Sequence, residues 1–290
     1  MADKTEMTTI ESPVETVLTT TTITETIQTA TTAEPTATPS PSPTAEPTPV
    51  PTPKPTAKPT PNPTAVPLPS SGDLPIPYVA KSIDPTRLAG HVVVLDPGHQ
   101  RHPNYDLELI APWTTETKIK TSSGTSGIVA EYIYNLDFSL KLQAYLEAQG
   151  CVVFMTRTTH DVNLSNIDRA LFAVANNPDA YLRVHCNGGK PAANGVGIYV
   201  NDTGAYAADV KVWGQWLADE LCESTGAKNN GVHPGSSYTG LNWANSIPSY
   251  LVEMGYMTNA AEDRLLNNPD YQMELCEGYA DFIERIPKGS

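Results

Sequence analysis

The chain has 290 residues and a formal net charge of −14. It contains no run of Lys or Arg, which argues against nucleic acid or anionic lipid as a partner, because both require a basic footprint. No apolar stretch approaches the ~20 residues needed to span a bilayer, so no membrane insertion is expected. Residues 1–72 are dominated by Thr, Pro, Ala and Ser, and 14 of the 27 prolines fall between Pro35 and Pro69. Such a segment has too few large apolar side chains to offset the entropy of ordering, so it reads as a disordered spacer. Its proline-rich part could extend roughly 100 Å at ~3.1 Å per residue. A Pro/Thr-rich stalk belongs outside a cell, yet "MADKTEMTT" has neither the basic nor the apolar region of a secretion signal. The expectation is therefore an extracellular protein whose signal or anchor this chain does not carry. Residues 73–90 read as a linker and 91–290 as one folded domain, with monomer the default.

Within the folded part, strand and helix patterns alternate. "HVVVLD" (91–96) is a continuous β-branched run, as expected of a strand covered on both faces. The stretch 100–130 is too long and too rich in Gly, Ser and Thr for a simple connection, and is expected to form a wall or lid. "EYIYNLDFSLKLQAYLEAQG" (131–150) has helical spacing through Leu136, Leu140, Gln143, Tyr145 and Leu146, and stops at Gly150. "CVVFMTR" (151–157) is a second strand. A helix then places Leu164, Ile167, Leu171 and Val174 on one face. "DAYLRVHCN" (179–187) and "VGIYVN" (196–201) are strands, followed by a helix with Trp213, Trp216, Leu217 and Leu221 inward. "PSYLVEMGYM" (248–257) is a last strand, and Tyr271, Leu275, Tyr279 and Phe282 mark a C-terminal helix. The expected fold is a three-layer α/β sandwich: a mostly parallel open sheet with helices on both faces.

The polar residues collect at strand ends. His99 follows the carboxyl end of the first strand, His185 ends "YLRVH", and Glu253 ends "SYLVE". Ligands of open α/β sheets bind outside that edge. Glu131 opens the helix after the long loop. Two imidazoles, a carboxylate and an open position make the inventory of a catalytic zinc site, and a spare carboxylate serves zinc-assisted hydrolysis as a base. Each residue also has a plainer reading: histidines after strands are commonly solvated or capping, and acids favour helix N-termini. Among the other histidines, His102 is a competing ligand candidate. His91 starts the strand at its far end, while solvated roles suffice for His160 and His233. Asp96 and Gly98 read as turn hydrogen bonding and permissive backbone, although Gly98 could also bring His99 close to a metal. Cys151, Cys186, Cys222 and Cys276 form no CxxC, so buried free thiols are expected and not a thiolate zinc site.

In their order and spacing, "VVVLDPGHQ", "EYIYNLDFSLKLQAYLEAQGCVVFMTR", "YLRVHCNG" and "VEMGYMTNAAED" resemble the zinc-dependent N-acetylmuramoyl-L-alanine amidases, the family called amidase type 3. The resemblance spans nearly all of 91–285. It implies a peptidoglycan substrate, cut between the lactyl group of muramic acid and the first alanine of the stem peptide. It also implies one Zn2+ per chain held by His99, Glu131 and His185, with Glu253 as the catalytic acid and base. The family commonly has a small or hydroxyl residue and isoleucine before the second histidine and alanine after it. Here the neighbours are Arg183, Val184 and Cys186. Strand alternation should turn Cys186 away from the face of His185, making it a packed thiol. Arg183 and Asn187 could meet an anionic peptide, but serve equally well as surface and turn residues. Two rival readings share these residues: another zinc peptidase or carboxypeptidase of the wall, against which no HExxH helix occurs, and a non-catalytic wall-binding module on a stalk, which would have no use for Glu253.

Overall fold

In the computed structural model, which describes residues 82–289, the first strand is β1 (Val92–Pro97). It is followed by β2 (Asn104–Leu109), β3 (Thr117–Thr121), α1 (Glu131–Glu147), β4 (Val152–Met155), α2 (Asn166–Asn176) and β5 (Ala180–Asn187). Then come β6 (Val196–Val200), α3 (Asp209–Thr225), β7 (Asn229–Pro234), α4 (Thr239–Trp243), β8 (Ser249–Tyr256), α5 (Ala260–Leu266) and α6 (Pro269–Arg285). The spacer expected over residues 1–72 lies outside the described residues. No helix among them is long and apolar enough to cross a membrane.

Six strands form one sheet in the order β4-β1-β5-β8-β6-β7. Strands β4, β1, β5 and β8 are mutually parallel. β6 runs antiparallel to β8, and β7 parallel to β6. β1 and β5 are buried almost throughout, which is why they read as unbroken apolar runs. On one face, Leu95, Leu182, Val184 and Cys186 pack with Phe138 and Leu142 of α1, Leu217 and Leu221 of α3, and Tyr279 and Phe282 of α6. On the other, Val94 and Tyr181 meet Ala170 and Ala173 of α2 and the Ala244–Ile247 turn after α4. This is the three-layer arrangement the alternating pattern predicts. All four cysteines are free and three are buried, with Cys186 in the core on the face opposite His185.

Two expectations are corrected, the inward face of two helices and the extent of the linker, and the long stretch between β1 and α1 gains a structure. Leu140 and Leu171, expected inward, are exposed. The inward face of α2 is built from Ala170, Ala173 and the buried Arg169, whose guanidinium reaches the Asp96 carboxylate of β1. The stretch 100–130 contains an antiparallel hairpin, β2–β3, with an irregular register between Asn104 and Leu107. Part of the stretch read as a linker belongs to the fold: Leu88 is fully buried and its amide donates to Gln149 O, while Arg87 pairs with Asp281 and Glu284.

Candidate active site

The first strand delivers an imidazole to a turn because of what holds that turn. His99 has φ 60°, in the left-handed region, a conformation that costs a β-carbon-bearing residue about 1–3 kcal/mol and persists only where its surroundings enforce it. Two buried arginines do so. Arg157 donates from Nε to Pro97 O (2.9 Å) and from Nη2 to Gly98 O and Tyr132 O (both 2.9 Å). Arg169 donates to Pro97 O (2.9 Å), to His99 O (3.0 Å) and to the Asp96 carboxylate (2.6 Å). Asp96 is fully buried and also takes hydrogen bonds from Arg183 (2.9 Å), Tyr181 (3.0 Å) and Thr156 (2.5 Å). Burial alone would raise its pKa; Arg169 and Arg183 outweigh that and hold the carboxyl far below the usual range. The roles expected of Asp96 and Gly98 were local, whereas these partners lie far along the chain.

The turn brings His99 against Glu131, at the first position of α1, and His185, near the end of β5. Their ligand atoms all lie within 4.8 Å of one another. Glu131 Oε1 is 3.2 Å from His99 Nε2 and 3.2 Å from His185 Nδ1. The same oxygen also accepts from Asn135 Nδ2 and Cys186 N, both at 3.2 Å, while Oε2 accepts from Thr125 N at 2.8 Å. Burial opposes ionisation of Glu131, but its contacts with His185 and His99 prevail and hold it well below the usual carboxylate range.

These protons decide what fits. A carbonyl cannot donate, so His99 Nδ1–H donates to Ser122 O at 3.0 Å, which leaves Nε2 as the ring atom facing the Glu131 carboxylate oxygen. His185 is pushed down to about 4 by burial, against the effect of its hydrogen bond to Glu131, and is neutral at pH 7. If its proton sits on Nδ1, the buried Nε2 has no partner; if on Nε2, a second lone pair faces Glu131. A cation resolves either arrangement. Ligands about 2.0–2.1 Å from a tetrahedral zinc stand about 3.3 Å apart, close to the 3.2 Å spacings from Glu131 Oε1 to the two rings. The donor set therefore fits a divalent metal. Ser122 O also supplies the outer hydrogen bond that orients a metal-binding histidine.

Glu253 is the register partner of His185 on the neighbouring strand β8. Its Oε2 is buried and has no hydrogen-bond partner among the described residues. Burial first, and the Glu131 carboxylate second, push Glu253 up to about 8, against the pull of Arg183. His185 and Glu253 line a cavity of 220 Å3 whose walls include His99, Thr121, Ser122 and Tyr238. The β2–β3 hairpin thus supplies a wall of the site, as expected for that stretch. His102 is exposed beside Asp161, and His91 pairs with Asp179 at the opposite end of β1, so neither joins the cluster.

Two glycines make the approach possible. A β-carbon on Gly98 would lie 2.2 Å from His185 Cε1, and one on Gly124 would lie 2.3 Å from Glu131 Oε2. The Gly98→Ala variant is expected to fold, because the collision is with one ring. It should lose about 10²-fold in activity, since a shift of ~1 Å at the reacting centre costs that much. Circular dichroism together with turnover on purified wall checks this; activity within twofold of wild type would show that the ring has room.

Fold and edge together describe an α/β enzyme carrying a candidate metal centre. The model of the N-acetylmuramoyl-L-alanine amidase family (amidase type 3) matches residues 93–285. N-acetylmuramoyl-L-alanine amidase Rv3717 of Mycobacterium tuberculosis is 31% identical over 220 residues, covering 70% of this chain and 90% of that protein. The probable cell wall amidase LytH of Staphylococcus aureus is 27% identical, over 68% of this chain and 58% of that one. The crystal structure of the amidase Ami1 from Mycobacterium smegmatis superposes with a TM-score of 0.61 at 27% identity, covering 68% of this chain and 98% of that one. The chain belongs to the N-acetylmuramoyl-L-alanine amidase family, and it is a peptidoglycan amidase.

Proposed function

We propose that this protein is a zinc-dependent hydrolase acting at the cell wall, in wall turnover, separation or lysis. It cuts the amide between the lactyl group of N-acetylmuramic acid and the L-alanine of the stem peptide. His99, Glu131 and His185 hold the ion, and Glu253 carries the proton. The observation that supports this best is Glu131 Oε1 standing 3.2 Å from a nitrogen of each histidine, with an unpartnered acid on the adjoining strand.

When bound, zinc would polarise the amide carbonyl and make hydroxide available near neutral pH. The chain's own residues do the rest. Glu131 brings one negative charge to the cluster, so a bound dication would leave the site net positive toward a developing oxyanion. Glu253, one strand away, takes the proton of the attacking water and returns it to the alanine nitrogen as the C–N bond breaks. Without that proton the amine is a poor leaving group, so one carboxyl serves as base and then as acid. A pKa raised by burial suits both steps, and a dication beside it would draw it back toward neutrality. The strained turn at His99 and its arginine supports fix the geometry before substrate arrives.

Purified wall sacculi test this reading. Wild-type protein should release peptides with new alanine amino groups and generate no new reducing sugar, and a chelator should abolish the release until zinc is restored. The His185→Ala variant should lose at least about 10-fold in zinc affinity, read as metal per chain after dialysis. New reducing ends without free alanine amines, or a His185→Ala protein still fully loaded, would overturn the assignment. A chelator-resistant activity would leave the amidase class in place and remove the zinc.

A further inference from the structure

The cavity beside Glu253 contains a cation that the proposed reaction does not use. Arg183 was open to a surface reading, but only 3% of it is exposed. It lies two residues before His185 on β5, hence on the same face of the sheet and about 6.6 Å along the strand. Its guanidinium is fixed on two sides: Nε donates to Asp96 Oδ2 at 2.9 Å and Nη2 to Asn166 Oδ1 at 2.6 Å. Asn166 is itself tied to the hairpin, donating from N and Nδ2 to Glu108 Oε1 at 3.2 and 3.1 Å. From above, α4 presents Gly240, where a β-carbon would lie 2.3 Å from Arg183 Nη1. So long and costly a side chain, locked into a cavity wall, is pre-organised for a planar anion.

The local charge balance agrees. Asp96 is shared between Arg169 and Arg183, so this buried trio carries one excess positive charge. Lys118 on β3 lines the same cavity, and its ammonium is depressed by burial and then by Arg183, with Glu108 pulling the other way. Glu108 already accepts from Asn166 and from Ile167 N. Glu108 lies outside the lining, whose acid is Glu253, and in the proposed mechanism Glu253 is engaged with the water and the leaving amine. In a chain of net charge −14, two converging cations at a substrate cleft form a local exception.

Building on the amidase reading, the scissile amide sits over the His99, Glu131 and His185 cluster. The next stem residue then begins one Cα–Cα step of about 3.8 Å beyond the alanine. A carboxylate on that residue falls within the offset that separates His185 from Arg183. The geometry points to Arg183 and Lys118 as a carboxylate-binding subsite, which selects stem peptides carrying a free acid on the residue after the alanine.

Three soluble substrates separate the possibilities: N-acetylmuramoyl-L-alanyl-D-glutamate, its α-amide and its diamide, all with the same scissile bond. The diacid should show a KM about 10- to 100-fold below that of the diamide with kcat nearly equal, the range expected for losing hydrogen bonds to a charged group; the α-amide identifies which carboxylate is read. Arg183→Met should erase the difference. Lys118→Met, which leaves Asp96 its partners, should reduce it, guarding against a folding defect in the first variant. Equal kcat/KM for diacid and diamide would overturn the subsite. If none of the three is hydrolysed, the amidase reading is at fault, and titration calorimetry with free L-alanyl-D-glutamate and its diamide still decides the subsite: at least 10-fold tighter binding of the diacid supports it, and equal binding overturns it.

Discussion

Replacing Glu253 by Gln will lower kcat by about 10²- to 10⁴-fold, the usual worth of a positioned proton shuttle, while zinc stays near one per chain. The amide has the shape of the acid but can neither take the water's proton nor return one to the alanine nitrogen. The structure also predicts what the substitution will not do. Glu253 Oε2 has no hydrogen bond to lose among the described residues, and burial beside Glu131 already disfavours its charge. Removing an ionisable group from such a place relieves a cost, so the melting temperature of Glu253→Gln should equal or exceed that of the wild type. Loss of activity with gain of stability marks a group kept for chemistry and not for the fold. Thermal melts, metal analysis and single-turnover kinetics on one preparation make the comparison. A variant that turns over at the wild-type rate with full metal would remove Glu253 from the mechanism, and one that melts early would make the kinetic loss a folding effect.

The sequence made this edge of the sheet legible for a physical reason. In a parallel sheet, a polar residue ending an apolar run must lie at the carboxyl edge, so His99, His185 and Glu253 could be placed together without coordinates. The pairing of His185 with Glu253 follows from β5 and β8 being neighbours. Glu131 was legible from its position as the start of a helix and from the family resemblance as a metal ligand, and its oxygen lies against two imidazoles because the loop before it folds back through Gly124. Less legible was everything that depends on long-range register. The reversal at β6, the β2–β3 hairpin and the inward face of α2 each depend on what packs opposite, which periodicity does not contain. The arginines were missed because Arg is so rarely buried that a surface role is the default reading. Yet a signal was present. An acid inside "VVVLDPG" cannot be buried alone, and candidate partners stood inside the apolar strand "YLRVH" and inside the apolar helix "NIDRALFAV". Asking which cation answers Asp96 would have pointed to Arg169 and Arg183, 73 and 87 residues away.

Asp96→Ala should therefore be the most destabilising single change at this edge. It leaves Arg169 and Arg183 buried without their shared acid, and breaking such a network by removing one partner costs about 3–5 kcal/mol, a large part of the 5–15 kcal/mol that typically holds a domain together. The pH dependence identifies the cause. Asp96 has a folded-state pKa depressed far below its ordinary value, so its contribution is fully present above about pH 4 and is lost as pH falls toward the depressed value. Denaturant unfolding of wild type and variant should show a gap that is constant near neutrality and narrows below about pH 4. A gap that stays constant down to pH 2 would assign the loss to packing and not to charge. The same experiment reaches function, because Arg169 also holds the carbonyls of Pro97 and His99. Freed from Asp96, it can no longer enforce the left-handed turn, and His99 should relax out of the cluster. Competition with a chelating dye at a temperature where the variant is still folded should then show weakened zinc binding. Full affinity in a destabilised protein would mean that Arg157 alone is sufficient to hold the turn.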